Sequence, residues 1–322
     1  MRERMTQDHL IQKVFWFVVA LNMWGIGMSG PALTAQSYAQ ASAMQPGTSS
    51  PSDIYFAPVA EGDAPSIDFA QLDHQHPLTL TQRIHLTPEF LQTLSQEHLD
   101  QVYARLTAGT IPDGALDGIA FLPQRQRDPF EVATQILGKM TSPHTEKYFT
   151  LIQNSWTELW KGKVFDRSQK SLQNRVNLTL IHSMAPLLGE QFAQRVQQLP
   201  KDSLLFPAKV YCGQSKLDSR RESIILDYAY TDDLPHYREG IDYLAGRNGL
   251  EIRDELRMLR PGFYLGRAYM GKFFLINFTL MNHAIAQDWE RQVTRQNSLS
   301  TTQPVFQEEC RTGKHDAKHP GG

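Results

Sequence analysis

Only two cysteines, Cys212 and Cys310, occur in the chain, a count that excludes a zinc site built from cysteine. A basic excess is also missing: 32 Lys and Arg stand against 34 Asp and Glu, a formal net charge of −2, which argues against a generic nucleic-acid binder. No G-x-S-x-G elbow, H-E-x-x-H pair or P-loop is present, and no G-x-G-x-x-G opens a helix. Hydrolase, zincin and nucleotide-binding readings therefore have no local motif to stand on. Histidines are scattered: His182, His236 and His283 show no ligand spacing, and His74, His76, His315 and His319 lie in segments read as loose. No metal and no cofactor are implied.

Long apolar runs are scarce too. The longest near the N-terminus, 14–21, is followed by Asn22, Gly25 and Gly27 and falls short of the roughly 20 residues of a membrane span. Arg2, Arg4 and Lys13 precede it, and Ala39, Ala41 and Ala43 follow, the order of an export signal cleaved near Ala43. An uncleaved anchor is the alternative. The expected location is periplasmic or secreted, with no integral span after cleavage. An oxidising compartment would allow Cys212 and Cys310 to pair, although the polar surroundings of Cys310 fit two unpaired thiols equally well.

Residues 44–84, rich in Pro, Gly and Ser at their start, read as a flexible leader. A helical region with a first strand follows over 85–160. Thr87 caps and Pro88 opens a helix on which Phe90, Leu91, Leu94, Leu99, Val102, Tyr103 and Leu106 recur at helical spacing until Gly109. Two further helices are expected over 128–140 and 145–159, and an inserted one near 176–200. Alternating apolar and aromatic segments at 119–122, 161–166, 206–212, 223–230, 251–259, 264–270 and 273–280 read as about seven antiparallel strands. The fold class is α+β: an antiparallel barrel over 161–288 with helices packed outside it or over its mouth, and a disordered tail over 289–322.

Trp160-Lys161-Gly162-Lys163-Val164-Phe165, Ala208-Lys209-Val210-Tyr211, Ile225-Leu226-Asp227-Tyr228, Arg253-Asp254-Glu255-Leu256-Arg257 and Pro261-Gly262-Phe263-Tyr264-Leu265-Gly266 carry a resemblance over residues 105–280. In that order they resemble an uncharacterised bacterial family of small lipocalin-like barrels with W-x-G-K-x-F and R-D-E-x-R strands. The resemblance implies a barrel and no established reaction.

Strand alternation puts Asp254 on the apolar face with Ile252, Leu256 and Met258, and Arg253, Glu255 and Arg257 on the other, read as a solvated charged face. Asp227 raises the same question as Asp254. A buried carboxylate needs a partner, and Lys163, Lys209 and Arg267 are the candidates, with Tyr211, Tyr264 and Tyr269 as hydroxyls. These residues, with Tyr228, are read as a polar cluster that orients a ligand while Trp160, Phe165, Phe273 and Phe278 cover its apolar part. A structural ion pair that fixes strand register is the competing account. The expected partner is a small apolar or amphipathic, lipid-like molecule, bound without catalysis. Two alternatives stay open: an enzyme using Asp227 or Asp254 as general acid/base on a lipid or isoprenoid-like substrate, and a structural or partner-binding envelope protein presenting Met184, Leu187, Leu188 and Phe192 from the inserted helix.

Overall fold

The computed structural model describes residues 53–58, 67–121, 160–184, 190–201, 203–247, 251–296 and 309–310. Eight strands form a closed barrel in simple sequential order: β1 Gly114–Phe121, β2 Trp160–Asp166, β3 Ser171–Val176, β4 Leu205–Gln214, β5 Glu222–Asp227, β6 Ile252–Arg260, β7 Phe263–Met270 and β8 Phe273–Met281. Every neighbouring pair is antiparallel, and β8 returns to β1 through Asp117↔Met281 to Phe121↔Asn277. Closure removes the unpaired edges that an open sheet would present.

The inward side chains include Leu172, Ala208, Val210, Ile224, Leu226, Leu256, Met258, Ile276 and Phe278. On β6 they are the ones the alternation predicts, whereas on β4, β5 and β7 the inward positions are the neighbours of Lys209, Asp227 and Arg267. β3 is the strand that the sequence reading misses. Its inward positions are Leu172, Asn174 and Val176, and a polar residue in the middle breaks the apolar alternation.

The two ends of the barrel differ. At one end the strands are joined by the short connections 167–170, 215–221 and 261–262. The chain segment entering β1 crosses this floor: Thr107 bridges Met258, Ala108 and Ile111 join the core, and Thr110 accepts a hydrogen bond from the Tyr264 hydroxyl at 2.8 Å. Cys310 is buried here and bonded to Cys212. Its neighbour Glu309 accepts from the Ile111 amide at 3.2 Å and lies 3.6 Å from Arg167. At the opposite end, the mouth, the much longer connections 122–159, 177–204 and 228–251 emerge.

Seven α-helices are found among the described residues. Two of them, α1 Phe69–Gln75 and α2 Leu80–His85, stand in the stretch read as a leader. Asp68 caps the first, and Thr79 with Gln82 forms a reciprocal cap on the second. The single helix expected from Thr87 is two helices, α3 Pro88–Thr93 and α4 Gln96–Ala104. The break falls at Leu94, which is extended, because the Ser95 hydroxyl takes the His98 amide and starts a new helix.

The inserted helix is likewise two segments, α5 Leu178–Met184 and α6 Glu190–Gln197, which send Leu178, Ile181, Ala193 and Val196 into the barrel core at the mouth. The tail begins later than expected, because α7 His283–Gln296 packs Ala286, Trp289 and Val293. No helix among the described residues is long and apolar enough to cross a membrane. The export signal, the two helices expected over 128–159 and the apolar side chains Met184, Leu187, Leu188 and Phe192 lie outside the description.

A second core lies outside the wall, where Leu86, Leu91, Leu99, Val102 and Leu106 pack on Leu259, Phe263 and Leu265 of β6 and β7. This layer overturns the reading of Arg253, Glu255 and Arg257 as a solvated face. Glu255 and Arg257 are both 0 % exposed, Arg257 held against α4 and Glu255 by Ser215 and Lys216, contacts that the strand pattern could not foresee.

Candidate functional site

Just beneath the mouth, four strands and the first residue of the 228–251 connection bring six side chains to one point inside the barrel. A bulge between Trp160 and Gly162 sets it up. Regular alternation would place Trp160 and Lys163 on opposite faces of β2. Gly162 adopts φ +119°, and the extra residue turns both side chains inward. A Cβ at Gly162 would lie 2.0 Å from the Leu116 carbonyl oxygen, so only glycine fits. The rings also depend on glycine: a Cβ on Gly118 would meet the Trp160 ring at 2.4 Å, and one on Gly266 the Phe278 ring at 2.3 Å.

Lys163 is the centre. Its ammonium donates to Asp254 Oδ2 at 2.9 Å, Asn174 Oδ1 at 2.8 Å and the Tyr228 hydroxyl at 2.6 Å. Asn174 Oδ1 also accepts from Trp160 Nε1 at 3.0 Å, and its amide donates to the Phe206 carbonyl at 3.0 Å. Tyr228 passes a hydrogen bond on to Asp254 at 3.3 Å. The Trp160, Tyr228 and Phe278 rings stand 5.3, 5.3 and 5.4 Å from the ammonium, within cation–π range. Burial pushes the Lys163 amine below its ordinary value against the pull of Asp254. It pushes the Tyr228 hydroxyl well above its own, with the Asp254 charge acting the same way.

Of the residues read from sequence, Trp160, Lys163, Tyr228, Asp254 and Phe278 meet here. Phe165 and Tyr264 also point inward but lie nearer the floor. Lys209, Tyr211, Asp227, Arg267 and Tyr269 are on the outer face of the wall. Lys209 pairs with Asp233 at 2.8 Å, and Tyr211 donates to Asp227 at 2.8 Å. Arg267 contacts Asp100 of α4 and donates to the Tyr269 hydroxyl at 2.9 Å. The Phe273 side chain lies outside the described residues. Asn174 is the member that sequence reasoning missed. Its i±2 relation to Leu172 and Val176 was the available signal.

The three hydrogens of the Lys163 ammonium are all used within the cluster, as are both functional atoms of the Asn174 amide. The centre is thus chemically self-contained, its polar groups satisfied by one another and its rings buried.

A separate concavity of about 490 Å³ lies at the mouth in the 228–251 connection, with Asp232, Tyr237, Glu239, Tyr243 and Arg247 on its walls. Its frame is fixed by Asp242, which is 1 % exposed and accepts from the Phe206 and Arg238 amides, both at 2.7 Å. Ile241 and Ala245 anchor the same segment in the barrel core. Among the described residues, no three His, Cys, Asp or Glu side chains are grouped to hold a metal.

The fold and this site define a closed, eight-stranded antiparallel barrel with a helical layer on its outer wall. No family model, curated protein or solved structure matches the chain.

Proposed function

We propose that this protein is an exported, lipocalin-like, non-catalytic barrel that takes up a small apolar or amphipathic molecule at its mouth. The observation that carries the reading is the asymmetry of the barrel. One end is crossed by residues 107–111 and by Cys310, while the described parts of the long 177–204 and 228–251 connections pack at the other, beside an aromatic-walled centre. Long connections held on a rigid wall are where binding residues concentrate. The Cys212–Cys310 disulfide supports export, because such bonds persist in oxidising compartments. The enzyme reading draws less support: Asp227 faces outward, and Asp254 is tied to Lys163 and Tyr228.

Native mass spectrometry of the full chain purified from the periplasm of an expressing bacterium, followed by solvent extraction, tests the proposal. The expected result is a mature chain lacking its N-terminal segment and carrying an amphipathic molecule. Ala120→Trp, which fills the core near the mouth, is expected to release that molecule. A clean apo mass, together with no uptake of either a neutral or a cationic fluorescent amphiphile, would overturn the binding reading.

A further inference from the structure

The mouth cleft in the 228–251 connection is unassigned by anything above, and it holds the polar groups that the barrel centre lacks. Neither the Tyr237 hydroxyl nor the Glu239 carboxylate has a hydrogen-bond partner among the described residues. Arg247, the cation on the cleft wall, is already engaged: it lies 3.4 Å from Asp232 and over the Tyr230 ring at 5.3 Å. The balance left open to a visitor is the Glu239 carboxylate and the Tyr237 hydroxyl. Tyr243 joins this cleft to the interior, since it lines the one and packs against the core of the other.

From this geometry we infer that the cleft is a head-group site for an organic ammonium ion, held by Glu239 and Tyr237 and covered by the Tyr237 and Tyr243 rings. The inference rests on the proposed amphiphile-binding function and names the ligand class. A volume near 490 Å³ is within the range of small-molecule sites. An alkylammonium satisfies both kinds of wall at once, through charge-assisted contact with a carboxylate and attraction to ring faces. The surrounding field agrees: burial and the carboxylates of Asp232, Asp242 and Glu239 hold the Tyr237 hydroxyl above its ordinary value. A sulfate or phosphate head would face that same negative field.

The test is a calorimetric titration of the full mature chain with three decyl amphiphiles below their micelle concentrations: decyltrimethylammonium, decyl sulfate and decyl maltoside. The ammonium compound is expected to bind about tenfold more tightly than the sulfate. Glu239→Gln, at an exposed position that should not disturb folding, is expected to weaken the ammonium compound about fivefold and leave the maltoside unchanged. Equal or tighter binding of the sulfate or the maltoside, or a Glu239→Gln variant with unaltered selectivity, overturns the ammonium site while the barrel still binds amphiphiles. Failure of all three to bind overturns both the site and the function beneath it.

Discussion

Asp254 and Glu255 are consecutive on β6, both are buried, and they are sealed by different parts of the molecule. Asp254 faces the barrel interior, where the wall itself excludes water and Lys163 is its cation. Glu255 faces outward under the N-terminal layer, where it accepts from the Ser215 hydroxyl at 2.7 Å and the Lys216 amide at 2.8 Å and lies 3.2 Å from Arg253. Next to it Arg257 donates to Ser223 and to the Tyr103 carbonyl, both at 3.0 Å. The interior pair depends only on barrel closure. The Arg257 side of the outer network depends on α4 being docked. Burial of a charge therefore reports two separate events in this protein, and they should be separable by experiment.

The largest expected effect involves both sides of the wall. Tyr228 and Tyr264 inside, and Tyr103 and Tyr269 outside, are all held above the ordinary tyrosine value, chiefly by burial. Above pH 10 the unfolded chain releases these protons while the native one keeps them. The native state then binds more protons, and stability falls as pH rises, by about 1.4 kcal/mol per pH unit for each such tyrosine. Lys163, Lys216 and Arg105, whose folded values are depressed chiefly by burial, oppose this in part. Urea titrations from pH 8 to 11 should show the decline, and a flat profile would mean that these hydroxyls are hydrated.

Asp254→Ala leaves the Lys163 ammonium buried without its carboxylate and should cost about 3 to 5 kcal/mol. The loss is expected to be global, with every barrel amide exchanging faster. Arg257→Ala should cost less, about 1 to 3 kcal/mol, and act locally. Hydrogen exchange should rise over α1 to α4 while β1 to β3 keep their protection. Exchange that rises uniformly in both variants would erase the distinction between the two sides. The smallest effect belongs to Arg175→Ala, which removes a 2.6 Å pair with Asp117 on the open part of the wall. Thermal denaturation should register less than about 1 kcal/mol there.

The same comparison explains what could be read before the structure. Strand alternation identified seven of the eight strands and placed Asp254 on the inward face, because period two is a local property of a strand. It could not say what lay over the other face. Glu255 and Arg257 look like solvent-facing charges on any exposed strand; Arg257 is met by a helix about 150 residues earlier, and Glu255 by the 215–221 turn. Asn174 hid both itself and β3, since a polar residue at an inward position is the reverse of the pattern sought. Trp160 and Lys163 share a face only through the Gly162 bulge, which spacing alone does not announce. Cys310 sits among polar residues in sequence and reaches the core through a bond to Cys212, 98 positions away.

Closure of the barrel also sets a timetable. β1 leaves the ribosome long before β8, yet these two strands pair with each other, as Phe121 does with Asn277. The other strands can add as successive hairpins, but the ends of the sheet must wait until almost the whole chain has been made. Such distant pairings slow folding and prolong the life of sticky intermediates. During that interval β1 is an unpaired edge. Conditions that lengthen the wait should therefore produce aggregates built through β1, even in a chain whose finished form has no edge to offer.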